Sequence, residues 1–184
     1  AEVRAMMLVE GALAKVQAEL GVIPETAGKA IHRASIELQL DPGGLAAGAG
    51  QSAVPVPALV AAFAEAMQAP EHANYLHWGA TSQDIMDTSL ALRLRQALGI
   101  FDARLGNTVR TLGTLAEQHA ETPMVARTYG QAAVVTTFGA QVASWGSPLL
   151  RARSKLAPVT DDVARVSLSG AAGTLSAMPK GPQV

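Results

Sequence analysis

DIMDTSLALRLRQALGIFDARLGNTVRTLGTLAEQH, residues 84–119, contains no proline and no turn cluster. Leu94, Leu98, Phe101, Leu105, Thr108, Leu112 and Leu115 alternate steps of four and three. That is a sustained heptad stripe, the mark of a helix that packs along its length on other helices. At 1.5 Å per residue such a helix is roughly 50 Å long. A folded domain of 184 residues has a radius of gyration of only about 16 Å. The helix therefore belongs to an elongated bundle, or the chain to something larger. The first residue is not Met and the tail, PKGPQV, does not read as a finished terminus, so a fragment is expected. Gly99, Gly106 and Gly113 lie seven apart on one face of this helix. Each costs about 1 kcal/mol relative to Ala, which points to close approach of a neighbouring helix.

The remaining segments also read as helices. Val3, Met6, Met7, Val9, Leu13, Val16 and Leu20 give residues 1–20 a helical period, and Gly21 closes it. Residues 24–40 read as one or two short helices, 41–54 as a loop, and 57–67 as a helix with Pro57 in its first turn. Residues 123–133, with flanking Thr122, read as a connecting loop. A helix is expected to follow, to about Ser154, and a further helical segment over 155–166, interrupted near Pro158. The stretch SLSGAAGTLSAM supports no assignment, and no sheet of any size is expected. The predicted fold class is all-α: an N-terminal helical domain over 1–83 leads into a long antiparallel helical bundle that begins over 84–184.

Composition excludes several functions. The net charge of -1, with no basic stripe, argues against a nucleic-acid surface. The absence of cysteine removes thiolate metal sites and Cys nucleophiles, and fits a reducing cytoplasm. Residues 131–150 carry no charge, yet Gln131, Thr136, Thr137, Gln141, Ser144 and Ser147 make the stretch too polar for lipid. It reads as the buried centre of a bundle, and no membrane partner is expected.

Two polar clusters carry the chemistry. HWGATSQD, residues 77–84, collects hydrogen-bonding side chains where the long helix starts. Thr81 or Ser82 can cap it, and Thr81 with Asp84 has capping-box spacing. Alternatively, the same helix N-terminus is an anion site, with the Thr81 and Ser82 hydroxyls donating to a substrate carboxylate. Gly79 then admits a ligand close to the backbone, and His77 stands upstream as an acid–base group. ARTYGQAA, residues 126–133, is the second cluster. Arg127 can grip a carboxylate bidentately, and Thr128, Tyr129 and Gln131 add hydrogen-bonding groups. Its structural alternative is a polar helix–helix connection.

Together, HWGATSQDIMDT and RTYGQAAVVTTFG resemble the first and second conserved regions of the fumarase/aspartase superfamily. VRAMMLVEGALAKVQAELGVIP and SGAAGTLSAM resemble it too, in the right order. TSQD-x-x-DT is similar to two branches, adenylosuccinate lyase and bacterial 3-carboxy-cis,cis-muconate cycloisomerase, and HWGATSQDIMDT looks closer to the second. Most lyases carry a His that assists proton transfer where this chain has Tyr129. The cycloisomerases resemble it in carrying an aromatic residue there. The resemblance implies a homotetramer that pairs its bundles and shares each active site among subunits, acting on a small polycarboxylate with no metal or organic cofactor. It implies His77 and Tyr129 as catalytic residues, and Thr81, Ser82, Arg127, Thr128 and Gln131 as substrate-binding residues. It implies lactonisation of 3-carboxy-cis,cis-muconate in the β-ketoadipate pathway. The alternatives are adenylosuccinate lyase and an inactive structural homologue. The family's third region, a serine-bearing loop, is absent. Ser176-Ala177-Met178-Pro179-Lys180 resembles it only superficially, and the chain alone is expected to be inactive.

Overall fold

A computed structural model describes residues 1–184. Helices dominate: α1 Glu2–Glu19, α2 Glu25–Glu37, α3 Ala46–Ser52, α4 Val56–Met67, α5 Pro70–Ala73, α6 Ser82–Gln118, α7 Phe138–Ser154 and α8 Leu156–Val163. Two strands, β1 Pro123–Thr128 and β2 Gln131–Thr137, form an antiparallel hairpin, and 3-10 turns lie at Pro42–Leu45 and Gly181–Gln183. The chain divides into two units, one of residues 1–93 and 164–184, the other of residues 94–163. The predicted helical class holds. The 37-residue α6 is about 55 Å long, close to the length its heptads imply.

In the first unit α1 packs on α2. A side chain at Gly28 would stand 2.7 Å from the Ala14 carbonyl oxygen, so the absence of Cβ lets the two backbones meet. Arg4 of α1 closes the far end of α2. Its guanidinium donates to the carbonyls of Ser35, Ile36 and Leu38, groups that a helix C-terminus leaves without partners. Around this pair lies the core: Met6, Met7, Ile31, Leu59, Phe63 and Ile85, with Val56 and Leu76. Residues 164–184 return to the same unit. Ser167 exchanges hydrogen bonds with Thr88 Oγ1 at 3.0 Å in both directions, and Met178 is buried.

In the second unit α7 runs antiparallel to α6. Gly139 abuts Ala116 and Ala120, Gly146 faces Leu112, and Arg153 reaches Gly106 and pairs with Asp102. Arg153 Nε and Nη2 donate to the two Asp102 carboxylate oxygens at 2.8 and 3.2 Å. That contact holds Asp102 below, and Arg153 above, its ordinary pKa.

Several local expectations are corrected. The segment after Thr122 is a hairpin, not a loop, and the helix begins at Phe138 rather than directly after Ala133. Val134, Val135, Thr136 and Thr137 are β-branched and favour a strand. Tyr129 and Gly130 both take positive φ, 48° and 75°, as a two-residue hairpin turn requires. Thr137 then caps α7, its hydroxyl accepting from the Ala140 N–H at 3.1 Å. Residues 131–150 are not a buried centre within this chain: only Gly139 and Val142 are buried there. A Cβ at Gly99 or Gly113 would meet no atom within 4 Å, so only Gly106 of the three meets a helix. Residues 41–54 include a turn and the short α3 instead of a plain loop. Pro158 sits in the first turn of α8, where its missing N–H is no loss, and does not interrupt it. No helix is long and apolar enough to cross a membrane.

Candidate active site

The loop that leads into α6 is built from buried polar groups rather than from the cap alone. Leu76 anchors it in the core. His77 follows with φ 59°, a left-handed conformation that costs a residue with a Cβ about 1 kcal/mol or more. Two side chains of α1 hold it there. Glu10 Oε1 lies 2.6 Å from His77 Nδ1, and Gln17 Nε2 donates to the Trp78 carbonyl at 2.7 Å. Glu10 and Gln17 are seven residues apart, so both face inward from one stripe of α1. The Glu10 side chain is fully buried, while that of His77 keeps 21% of its surface open.

Burial is the largest single influence on His77 and pushes its pKa down. The hydrogen bond to Glu10 and the charges of Glu10 and Asp84 push the other way and together prevail, so the pKa is raised above its ordinary 6.5. The imidazolium form is thus favoured by its two carboxylate neighbours against the cost of burial.

Asp84 organises the other side of the loop. Its Oδ2 accepts from the N–H groups of Thr81 and Gly170, both at 3.0 Å. Its Oδ1 accepts from the Ser169 N–H at 2.9 Å and the Ser169 hydroxyl at 3.2 Å. Only the acidic half of the expected capping box forms, because neither the Thr81 nor the Ser82 hydroxyl caps α6. Both residues are half-buried, and their hydroxyls lie at the start of the α6 dipole. Gly79 does not open the backbone to a ligand. At φ 70°, a Cβ there would stand 2.9 Å from the Ala177 carbonyl oxygen and 3.1 Å from Met178 Cβ, so the chain's own 164–184 segment fills the space.

The structure thus brings His77, Thr81 and Ser82 together in the first unit. Arg127, Thr128, Tyr129 and Gln131 gather in the second, at the tip of the hairpin, all exposed. Thr128 pairs with Gln131 in the ladder, and Arg127 Nη1 donates to the Gly130 carbonyl at 3.3 Å. Tyr129, at the turn, is fully exposed. No group of three or more His, Asp or Glu side chains is placed to hold a metal. Glu10 is the residue that sequence reasoning missed. Its signal was present: Met6, Glu10, Ala14 and Gln17 share the buried stripe of α1, and a carboxylate on such a stripe needs a partner.

A helical chain with a buried carboxylate–imidazole pair beside a long helix's N-terminus is the kind of protein these features define. A model of the lyase family matches residues 1–184, and the chain belongs to that family. It is 41% identical over 177 residues to the 3-carboxy-cis,cis-muconate cycloisomerase of Bradyrhizobium diazoefficiens, covering 94% of this chain and 39% of that protein. It is 40% identical over 174 residues to the nitrosuccinate lyase of Streptomyces davaonensis, covering 94% of this chain and 36% of that protein. Among solved structures, the 3-carboxy-cis,cis-muconate lactonizing enzyme of Pseudomonas putida superposes with a TM-score of 0.91 at 36% identity, over 96% of this chain and 40% of that one. The chain spans about 40% of the length of these relatives.

Proposed function

We propose that the whole protein lactonises 3-carboxy-cis,cis-muconate in the β-ketoadipate pathway. The observation that carries this reading is the His77–Glu10 pair set at the start of α6, beside two hydroxyls free of cap duty. A substrate carboxylate oxygen bonds to a carbon of a double bond in the same molecule. The π electrons move to the neighbouring carbon, next to a second carboxylate, and that carbon takes a proton. Negative charge builds on the second carboxylate before the proton arrives, so donors aimed there lower the barrier. The Thr81 and Ser82 hydroxyls, with the α6 dipole behind them, hold one carboxylate. Arg127, Thr128 and Gln131 hold another, Tyr129 donates a hydrogen bond, and His77 exchanges the proton.

On this reading each active site is completed by other subunits of a homotetramer. Ile100, Phe101, Val134, Val135, Trp145 and Leu150 are exposed, as expected of faces that a homotetramer covers. In that assembly residues 1–83 form the N-terminal domain and 84–184 begin the central bundle. The chain alone lacks the third conserved region and is inactive on this reading.

The test is loss of the conjugated-diene absorbance of 3-carboxy-cis,cis-muconate with the full-length protein. Rapid loss, reduced about 10²–10⁴-fold by His77→Ala, is expected of a positioned acid–base group. A persistent diene with turnover of adenylosuccinate or nitrosuccinate would replace cyclisation by elimination. No turnover of any of the three would favour a structural homologue.

A further inference from the structure

Position 10 lies on a stripe whose other buried members include Met6, Met7 and Ala14. An apolar residue there would satisfy the core. Instead the chain buries a carboxylate whose second oxygen, Oε2, is buried without a hydrogen-bond partner. Such burial is costly unless the charge is well paired, and pairs of this kind are weak contributors to stability. Glu10 has one polar partner, the ring nitrogen of His77 at 2.6 Å. An ionised carboxylate can only accept, so Nδ1 must carry the hydrogen. That choice decides the tautomer and leaves Nε2 free, while the Gln17 bond to the Trp78 carbonyl fixes the backbone that carries the ring.

We propose that Glu10 is the positioning residue of His77: its buried carboxylate accepts the Nδ1–H and leaves Nε2 as the atom that exchanges a proton with the substrate. The charged groups facing the ring are Glu10 from α1 and Asp84 from α6. Asp84 is fully engaged by Thr81, Ser169 and Gly170, so the orientation of the ring falls to Glu10. The catalytic part of this assignment rests on the cyclisation proposed above; the tautomer part does not.

Glu10→Gln tests it with little change of shape. An amide can present oxygen or N–H to Nδ1, so the tautomer is no longer set and the negative charge is gone. Ring-nitrogen NMR of His77, made without substrate, should show a mixed tautomer and a titration moved to lower pH. In the full-length enzyme kcat should fall about 10²-fold with KM nearly constant, and the acid limb of kcat/KM should follow the His77 titration. Glu10→Asp retains the charge but withdraws it by one methylene, and should recover part of both the tautomer and the rate. It also serves if Glu10→Gln does not fold. An unchanged His77 tautomer and titration in folded Glu10→Gln overturns the proposal, as does a folded Glu10→Asp variant whose tautomer is as mixed as that expected of the amide. So does a loss of activity that tracks stability alone, with the pH profile unmoved. Because the NMR readout needs no turnover, failure of the cyclisation reading is told apart from failure of the Glu10 assignment.

Discussion

Asp84→Asn offers a sharp test of how the 164–184 segment is held. The carboxylate is buried and takes four donors, two on each oxygen. An amide keeps one oxygen. The better of its two orientations turns oxygen toward the Thr81 and Gly170 N–H groups and NH₂ toward Ser169. The Ser169 hydroxyl can then rotate to accept, but the Ser169 N–H is left facing a donor. One stranded, part-buried donor costs about 1–2 kcal/mol, and two bonds weakened from charged to neutral cost about 0.5–1 kcal/mol each. The sum is about 3 kcal/mol, or a fall in Tm of roughly 6–12 °C at this chain length. Circular dichroism gives the Tm, and amide hydrogen exchange reads the Ser169 and Gly170 N–H groups directly. Exchange should accelerate at both, with the interior of α1 less affected. A change below about 1 kcal/mol with protection retained at Ser169 and Gly170 would refute the reasoning, since one donor cannot be stranded at so small a cost.

Two further outcomes follow from the same loop. His77 has a raised pKa despite burial, because Glu10 and Asp84 favour its protonated form. Protonated His77 therefore favours the fold; that contribution is complete below about pH 6.5 and is lost as pH rises through the folded-state value. His77→Gln should lower stability most in acid, and the gap from wild type should narrow above pH 6.5; a gap constant from roughly pH 5 to 8 in denaturant titrations would contradict the pairing. Gly79→Ala places a methyl 2.9 Å from the Ala177 carbonyl oxygen at positive φ and should cost about 2–4 kcal/mol. Gly173→Ala, with positive φ and nothing within 4 Å, should cost only the backbone part, about 1–2 kcal/mol, so equal losses by thermal melts would deny the contact at Gly79.

What could be read from sequence depended on how many residues carried each signal. The start of α1, the closure at Gly21 and the whole of α6 rest on period over many positions, where one exception changes little. The hairpin was missed because its evidence is short. Four β-branched residues, Val134 to Thr137, and the Tyr129-Gly130 turn weigh against a long uncharged run that suits a buried helix equally well. An uncharged run shows that a segment can be covered, but does not say by what. Within this chain residues 131–150 are mostly exposed, so the inference of a buried centre outran the one chain it was drawn from. The three glycines of α6 show the same limit: a face of small residues permits close approach, and only Gly106 finds a partner in this chain.

The candidate site divides along the same line. His77, Thr81 and Ser82 were legible because they are neighbours in sequence as well as in space. Glu10 was not, since it comes from 67 residues upstream and its meaning depends on which ring it faces. Gly79 was misread for a related reason. Its missing Cβ was legible as room for close approach, but the approaching group is Ala177, 98 residues downstream. Local pattern thus identified which backbone positions needed room or polar company, and tertiary contact decided who supplied it. The tertiary partner also changes the chemistry. A helix N-terminus with hydroxyls is a place where an anion can sit, whereas a ring with one nitrogen committed to a buried carboxylate has a defined direction for its proton. That buried carboxylate–imidazole contact is what distinguishes this loop from an ordinary helix cap. It is why Glu10 belongs in the same argument as the residues of the motif itself.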